Sequence, residues 1–143
     1  MIITVGLPGS GKSTYLAGLG VNPISSDEIR RLIADDPRDQ SMNARIFSVI
    51  RYLIRQRIAA GRPVTYVDAT HLTPWERKPY RALAQRYGCT LEALFFDVPV
   101  EVCMARNQAR DRVVPEEAIR KMARQMIPPA RTEGFAKITK IAP

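Results

Sequence analysis

Long apolar runs are missing from this chain of 143 residues: none approaches 18 in a row, which excludes a membrane-spanning helix. No leader-like segment precedes Ile2, so the expectation is a cytoplasmic protein, neither membrane-bound nor secreted. Cysteine is scarce. Cys89 and Cys103 lie far apart and lack metal-ligand spacing, so they read as small, reduced core residues rather than as a disulfide framework or a zinc site. Acidic residues are few: Asp and Glu number 14 against 22 Lys and Arg, a net charge of +8. That excess leans toward a polyanionic partner, although a solvated basic surface produces the same number. Repeats, low-complexity tracts and linkers are absent too, and the length suits one domain over residues 1–143.

What is present begins at the first strand. Met1-Ile2-Ile3-Thr4-Val5 is apolar, and Gly6-Leu7-Pro8-Gly9-Ser10-Gly11-Lys12-Ser13 follows it directly. This is G-x-x-x-x-G-K-[ST] behind a strand and ahead of a helix, the signature of a phosphate-cradling P-loop. Glycine lets the backbone curl so that successive N–H groups face phosphate oxygens, and the helix that starts near Lys12 adds its positive end. Gly9, Ser10, Gly11, Lys12, Ser13 and Thr14 form the expected nucleotide cradle. Lys12 supplies charge to the β/γ-phosphates, and the Ser13 hydroxyl ligates Mg²⁺. The chain is expected to bind ATP or another nucleoside triphosphate.

Strand and helix signals alternate. Strands are expected at Ile2–Gly6, briefly at Ile24-Ser25, and at Val64–Asp68, Thr90–Phe96 and Phe135–Ile141. Helices are expected at Lys12–Leu19, from Ser26 to the Asp35-Asp36-Pro37 stop, at Asn43–Ala60, from Pro74 to Tyr87, at Pro99–Asn107 and at Pro115–Gln125. Ser25 with Glu28, and Thr73 with Glu76, have the spacing of capping boxes. Such alternation predicts an α/β fold, a central parallel sheet with helices on both faces. Ligands of such sheets sit beyond the carboxyl ends of the strands. The P-loop, Asp27, Asp68 and the loop after the fourth strand therefore share one rim.

Phosphoryl transfer asks for positioning and charge stabilisation. Asp27 lies in the first turn of its helix and Arg30 three residues on, hence on the same face. The aspartate suits the proton of an acceptor hydroxyl, and the arginine suits an anionic part of that acceptor. The alternative is an acid favouring a helix N-terminus with a local ion pair. Asp68 ends its strand as a Walker-B-type acid does, placed to hold Mg²⁺ or to orient Arg30, or else it is a turn residue. His71, the only histidine, fits a solvent-facing or acceptor-site side chain better than a catalytic base. Arg106, Arg110 and Arg112 crowd into seven residues before a proline-started helix. They suit either a lid over the triphosphate or a solvated basic face.

With these elements the chain resembles the polynucleotide 5′-kinase family, and more closely the kinase module of bacterial RNA-repair polynucleotide kinase-phosphatases. The likeness is carried by Gly6–Thr14, Ile24-Ser25-Ser26-Asp27 with Arg30, and Asp36 to Gln40. It continues through Val67-Asp68-Ala69-Thr70, Arg77-Lys78-Pro79, Arg106-Asn107 with Arg110, and Glu133-Gly134-Phe135. It implies a single P-loop kinase domain with an arginine-bearing lid, using an NTP and Mg²⁺ on nucleic acid with a 5′-OH end. By position it implies Asp27 as general base, Arg30 on the acceptor phosphate, and Asp68, Thr70 and His71 on the acceptor side. Arg110 falls on the donor phosphates with Arg106 beside it. His71 stands where the family commonly has asparagine. Related modules assemble into oligomers. Two other readings stay open: a small-metabolite kinase of the same fold, and a nucleotide-binding module without transfer.

Overall fold

The structure, a computed structural model, describes residues 1–143. Five strands form one parallel sheet in the order β2-β3-β1-β4-β5: β1 Ile2–Val5, β2 Ile24–Ser25, β3 Tyr66–Asp68, β4 Glu92–Phe96 and β5 Lys137–Ile141. Six helices connect or follow them: α1 Lys12–Gly18, α2 Ser26–Ala34, α3 Asn43–Ala59, α4 Pro74–Tyr87, α5 Val100–Gln108 and α6 Glu116–Gln125. Alternation along the strands sorts the side chains to two faces. Ile3, Val5, Ala93 and Phe95 pack with Ile29 of α2, Ile46, Ile50 and Ile54 of α3, and Tyr80 and Leu83 of α4. Leu94 and Phe96 face the other way, against Leu16 of α1, Cys103 of α5 and Met122 of α6. The doubly covered parallel sheet is the α/β fold expected from the sequence.

Local chemistry explains where the elements differ from expectation. The Thr73 cap is complete: its hydroxyl accepts from the Glu76 N–H at 3.3 Å and the Thr73 N–H donates to Glu76 at 2.9 Å. The Ser25 cap is half made. Ser25 accepts from the Glu28 N–H at 3.3 Å, while the Glu28 carboxylate pairs with Arg31. β3 starts at Tyr66 rather than Val64; just before it Arg57 donates to the Val64 carbonyl and the Thr65 hydroxyl, and the Thr65 carbonyl accepts the Ile2 N–H at 2.8 Å. A 3₁₀ turn at Arg131–Glu133 precedes β5. No helix is long and apolar enough to cross a membrane.

Arg77 ties the C-terminal segment to the sheet. It is fully buried on α4. Its Nε–H donates to Glu133 at 2.8 Å, one terminal nitrogen to the His71 carbonyl at 2.7 Å, and the other to the Ile127 carbonyl at 3.0 Å and Glu133 at 3.1 Å. Every N–H-bearing nitrogen of the guanidinium has an acceptor, so burial leaves no donor orphaned. Removing one partner of a buried pair costs about 3–5 kcal/mol, mostly from the charge left behind. Arg77→Met is therefore expected to lower the unfolding free energy by that amount in urea titrations. A loss below about 1 kcal/mol would show that Glu133 re-solvates freely.

Candidate active site

The P-loop joins β1 to α1 and lies against α5. Gly9 has φ +81, and a Cβ there would come within 2.3 Å of the Cys103 carbonyl oxygen, so no other residue fits. Gly11, with φ 93, caps α1. Inside the loop the Ser10 hydroxyl is buried with no hydrogen-bond partner. Lys12 is buried as well, its Nζ donating to the Leu7 carbonyl at 2.8 Å. Burial pulls its pKa from 10.5 to about 8, with Asp68 opposing the shift and Arg110 adding to it. An unpartnered hydroxyl and a desolvated ammonium in a curled loop are the features a phosphate group would satisfy. Ser13 and Thr14 stand exposed at the start of α1.

Asp68 comes to this loop from the end of β3. The Ser13 hydroxyl donates to its carboxylate at 2.6 Å. Two hard oxygens in contact fit Mg²⁺, which takes one or two protein ligands beside phosphate and water. No cluster of three or more His, Cys, Asp or Glu side chains offers an all-protein metal cage.

On the β2 side, Asp27 Oδ1 receives Arg30 at 3.0 Å. Arg30 is only 5% exposed, and its other terminal nitrogen donates to Asn43 at 2.9 Å. Burial lowers the Arg30 pKa and Asp27 counters it. From the opposite direction Arg112 reaches the same Asp27 oxygen at 2.7 Å. The sequence singled out the arginine cluster but not this cross-site contact.

The segment from Ala109 to Val114 is a loop held at its neck by Asn107, and Gln108 still belongs to α5. This side chain is fully buried, donating to the Val114 carbonyl at 2.7 Å and accepting the Val114 N–H at 3.0 Å. Arg106 lies over the P-loop, 3.5 Å from the Ser10 carbonyl. Arg110 bears on Lys12 and has no carboxylate partner. Arg106 of α5 thus touches the cradle, while Arg112 of the loop meets Asp27.

Thr70 is half-buried, and its carbonyl accepts the Gly6 N–H at 3.0 Å, so its backbone braces the P-loop. His71 corrects the expectation of a solvent-facing or acceptor-site side chain. It is 2% exposed, its Nδ1 2.6 Å from the Thr4 carbonyl and its Nε2 2.8 Å from the Tyr80 hydroxyl. A carbonyl only accepts, so Nδ1 carries the proton and Nε2 accepts from Tyr80. Burial pushes the ring pKa down to about 4. This is a neutral core residue inside the α4 packing. A cavity of about 520 Å³ along α4, lined by Trp75, Lys78, Arg81, Thr132 and Phe135 among others, includes no P-loop, α2 or lid residue.

Comparison with known proteins follows the same lines. The model of the family described as AAA domain matches residues 1–129. Among solved structures, a gluconokinase from Sinorhizobium meliloti 1021 is similar at 19% identity over 99% of this chain and 81% of that one, with a TM-score of 0.65. A chain of the Pnkp1/Rnl/Hen1 RNA repair complex matches at 24% identity over 87% of this chain and 42% of its own length, with a TM-score of 0.73. The APS kinase CysC of Mycobacterium tuberculosis, in complex with AMPPNP and APS, matches at 19% identity over 99% and 87%, with a TM-score of 0.58. At these identities the likeness is one of fold.

The depressed Lys12 pKa has a consequence for stability. A base whose folded pKa lies below its unfolded value weakens the fold wherever it is protonated, and the weakening fades as pH rises from about 8 to 10.5. At pH 7 the buried ammonium costs roughly 3 kcal/mol at most. Lys12→Met is expected to fold more stably than wild type at pH 7 while losing nucleotide turnover. The stability difference, read from urea midpoints, should shrink by pH 10. A variant less stable than wild type at pH 7 would contradict the desolvated state of Lys12.

Proposed function

The chain belongs to the AAA domain family and carries a P-loop kinase-type fold, and from that premise we propose that it is an NTP-dependent polynucleotide 5′-hydroxyl kinase. Its acceptor would be a 5′-OH end of RNA or DNA, and its donor ATP or another NTP. The observation that carries the proposal is Arg30, a buried guanidinium held beside Asp27 at the strand-end rim with its Nε–H still unpartnered. A neutral small acceptor has no use for such a cation; a 3′-phosphate or phosphodiester beside the reacting sugar does. The chain of the RNA repair complex, similar in fold, supports the same choice. The net charge of +8 agrees with a polyanionic partner.

In this reading each residue has one task. Lys12 and the P-loop N–H groups hold the donor phosphates, with Arg106 above them. Ser13 and Asp68 would hold Mg²⁺, which would supply charge neutralisation for the donor phosphates. Asp27 gives Oδ1 to its two arginines and keeps Oδ2 for the acceptor. Its carboxylate takes the proton of the 5′-hydroxyl as that oxygen bonds to the γ-phosphorus. The bond to the β–γ bridging oxygen breaks, and the nucleoside diphosphate leaves with the electron pair. Arg110, free of any carboxylate, meets the charge that develops on the transferring group. Thr70 acts through its backbone on the loop.

A small-metabolite kinase is the second reading, favoured by the likeness to the gluconokinase and to the APS kinase over nearly the entire chain. The two separate on acceptors. Values of kcat/KM for adenosine, adenosine 3′-monophosphate, a short 5′-OH oligonucleotide and gluconate, each with wild type and Arg30→Ala, decide between them. The expectation is efficient use of the 3′-monophosphate and the oligomer, poor use of adenosine, and loss of that preference in Arg30→Ala. Equal use of adenosine and its 3′-monophosphate, or preference for gluconate, would transfer the assignment to the metabolite kinase.

Asp27→Asn keeps shape and cannot take a proton. General-base loss is typically about 10²–10⁴-fold, so kcat on the oligomer should fall by that much while ATP affinity holds. A variant with most of the wild-type kcat would leave Asp27 a positioning group only.

A further inference from the structure

Arg106 at the end of α5 and Arg110 and Arg112 in the loop after it differ in what they reach. Arg106 lies over Ser10, on the donor side, and Arg110 has no carboxylate partner. Arg112 differs from both: its terminal nitrogen sits 2.7 Å from Asp27 Oδ1, the same oxygen that Arg30 reaches at 3.0 Å. Two guanidinium groups thus converge on one carboxylate, and the trio keeps one net positive charge.

Both arginines are also left incomplete. The Nε–H of Arg30 and the Nε–H of Arg112 are buried without any hydrogen-bond partner. The neighbouring carboxylates do not serve them. Asp36 accepts the Arg38 backbone and side chain, and Asp39 accepts the Ser41 backbone and hydroxyl. A buried donor without an acceptor is unfavourable, and native structures leave few of them. Arg77 shows what the same side chain looks like when its role is structural, with an acceptor for every nitrogen. Two surplus buried donors, on cationic groups that meet at one carboxylate oxygen, call for an anion with several oxygens.

We infer that Arg112 is an acceptor-binding residue, and that Arg30 and Arg112 together clamp the phosphate on the 3′ side of the reacting nucleotide, one from α2 and the other from the lid. The inference rests on the polynucleotide-kinase reading and extends it: the lid closes on the acceptor as well as on the donor. In the free protein Asp27 holds the lid by Arg112. An arriving phosphate takes over the Arg112 contact and leaves Asp27 to the hydroxyl.

The test is equilibrium binding of adenosine 3′-monophosphate and of adenosine, with and without a non-hydrolysable ATP analogue, to wild type, Arg112→Ala and Arg112→Lys. Charge-assisted bonds of this kind correspond to roughly 10–100-fold in affinity. Arg112→Ala should bind the 3′-monophosphate at least tenfold more weakly than wild type, bind adenosine unchanged, and keep its affinity for the ATP analogue within about twofold. Arg112→Lys should recover little, since an ammonium cannot offer the planar fork. Undiminished binding of the 3′-monophosphate by Arg112→Ala, or no binding by wild type, overturns the inference. So does a loss confined to the ATP analogue, which would move Arg112 to the donor side. Transfer of labelled phosphate to the 5′-OH is measured separately. If Arg112-dependent binding is seen and transfer is not, the clamp stands and the kinase assignment falls.

Discussion

Parallel pairing of β1 with a strand on either side is the constraint on which the rest of this protein depends. Ile2 is in register with Tyr66 of β3 and with Glu92 of β4, and Ser25 of β2 with Asp68. Four strands therefore end at one level, and the segments that leave them start from a common rim. The P-loop, the first turn of α2 and Asp68 owe their proximity to this alignment rather than to any attraction among themselves. Side chains alternate along a strand, so a slip of one residue in β3 would turn Asp68 to the opposite face and away from Ser13.

Within that frame the arginines sort themselves by how completely they are satisfied. Arg77 is almost completely buried, and each of its three nitrogens has an acceptor. It holds α4 to the 3₁₀ turn and needs nothing more. Arg30 is nearly as buried and still has a donor to spare. Lys12 sits in a cradle that strips its water and gives it one carbonyl in return. Folding tolerates these deficits because Arg77, the apolar clusters and the capped helices supply a surplus elsewhere.

Features that depend on near neighbours in the chain were legible in the sequence. The P-loop spacing, the Thr73 capping box, the Asp27–Arg30 pair and the α3 stripe at Ile46, Ile50 and Ile54 all follow from offsets of a few residues. What the sequence concealed was long-range. Nothing near Arg77 announces a partner 56 residues away in Glu133, and nothing near Arg112 points to Asp27. His71 misled for a related reason. A lone histidine beside a strand-end acid looks functional, but its ring is consumed by Thr4, 67 residues away, and by Tyr80 on the next helix. Its backbone, at φ 45, lies in the left-handed region that asparagine and histidine both tolerate. Backbone conformation therefore accounts for the asparagine common at this position in the family the chain resembles as well as acceptor contact would.

The clasp that Asn107 makes with Val114 bears on the thermodynamics of closure. A loop left open at its base would have to be ordered each time substrate arrived, at about 1–2 kcal/mol for every residue fixed. Here the two ends of the loop are already joined through the buried Asn107 side chain, so that entropy was surrendered once, when the chain folded. In the proposed reaction, closing the lid would mean tilting a preformed hoop about its neck. The enthalpy of the arginine contacts would then be left to hold substrate instead of being consumed in organising the loop that carries them.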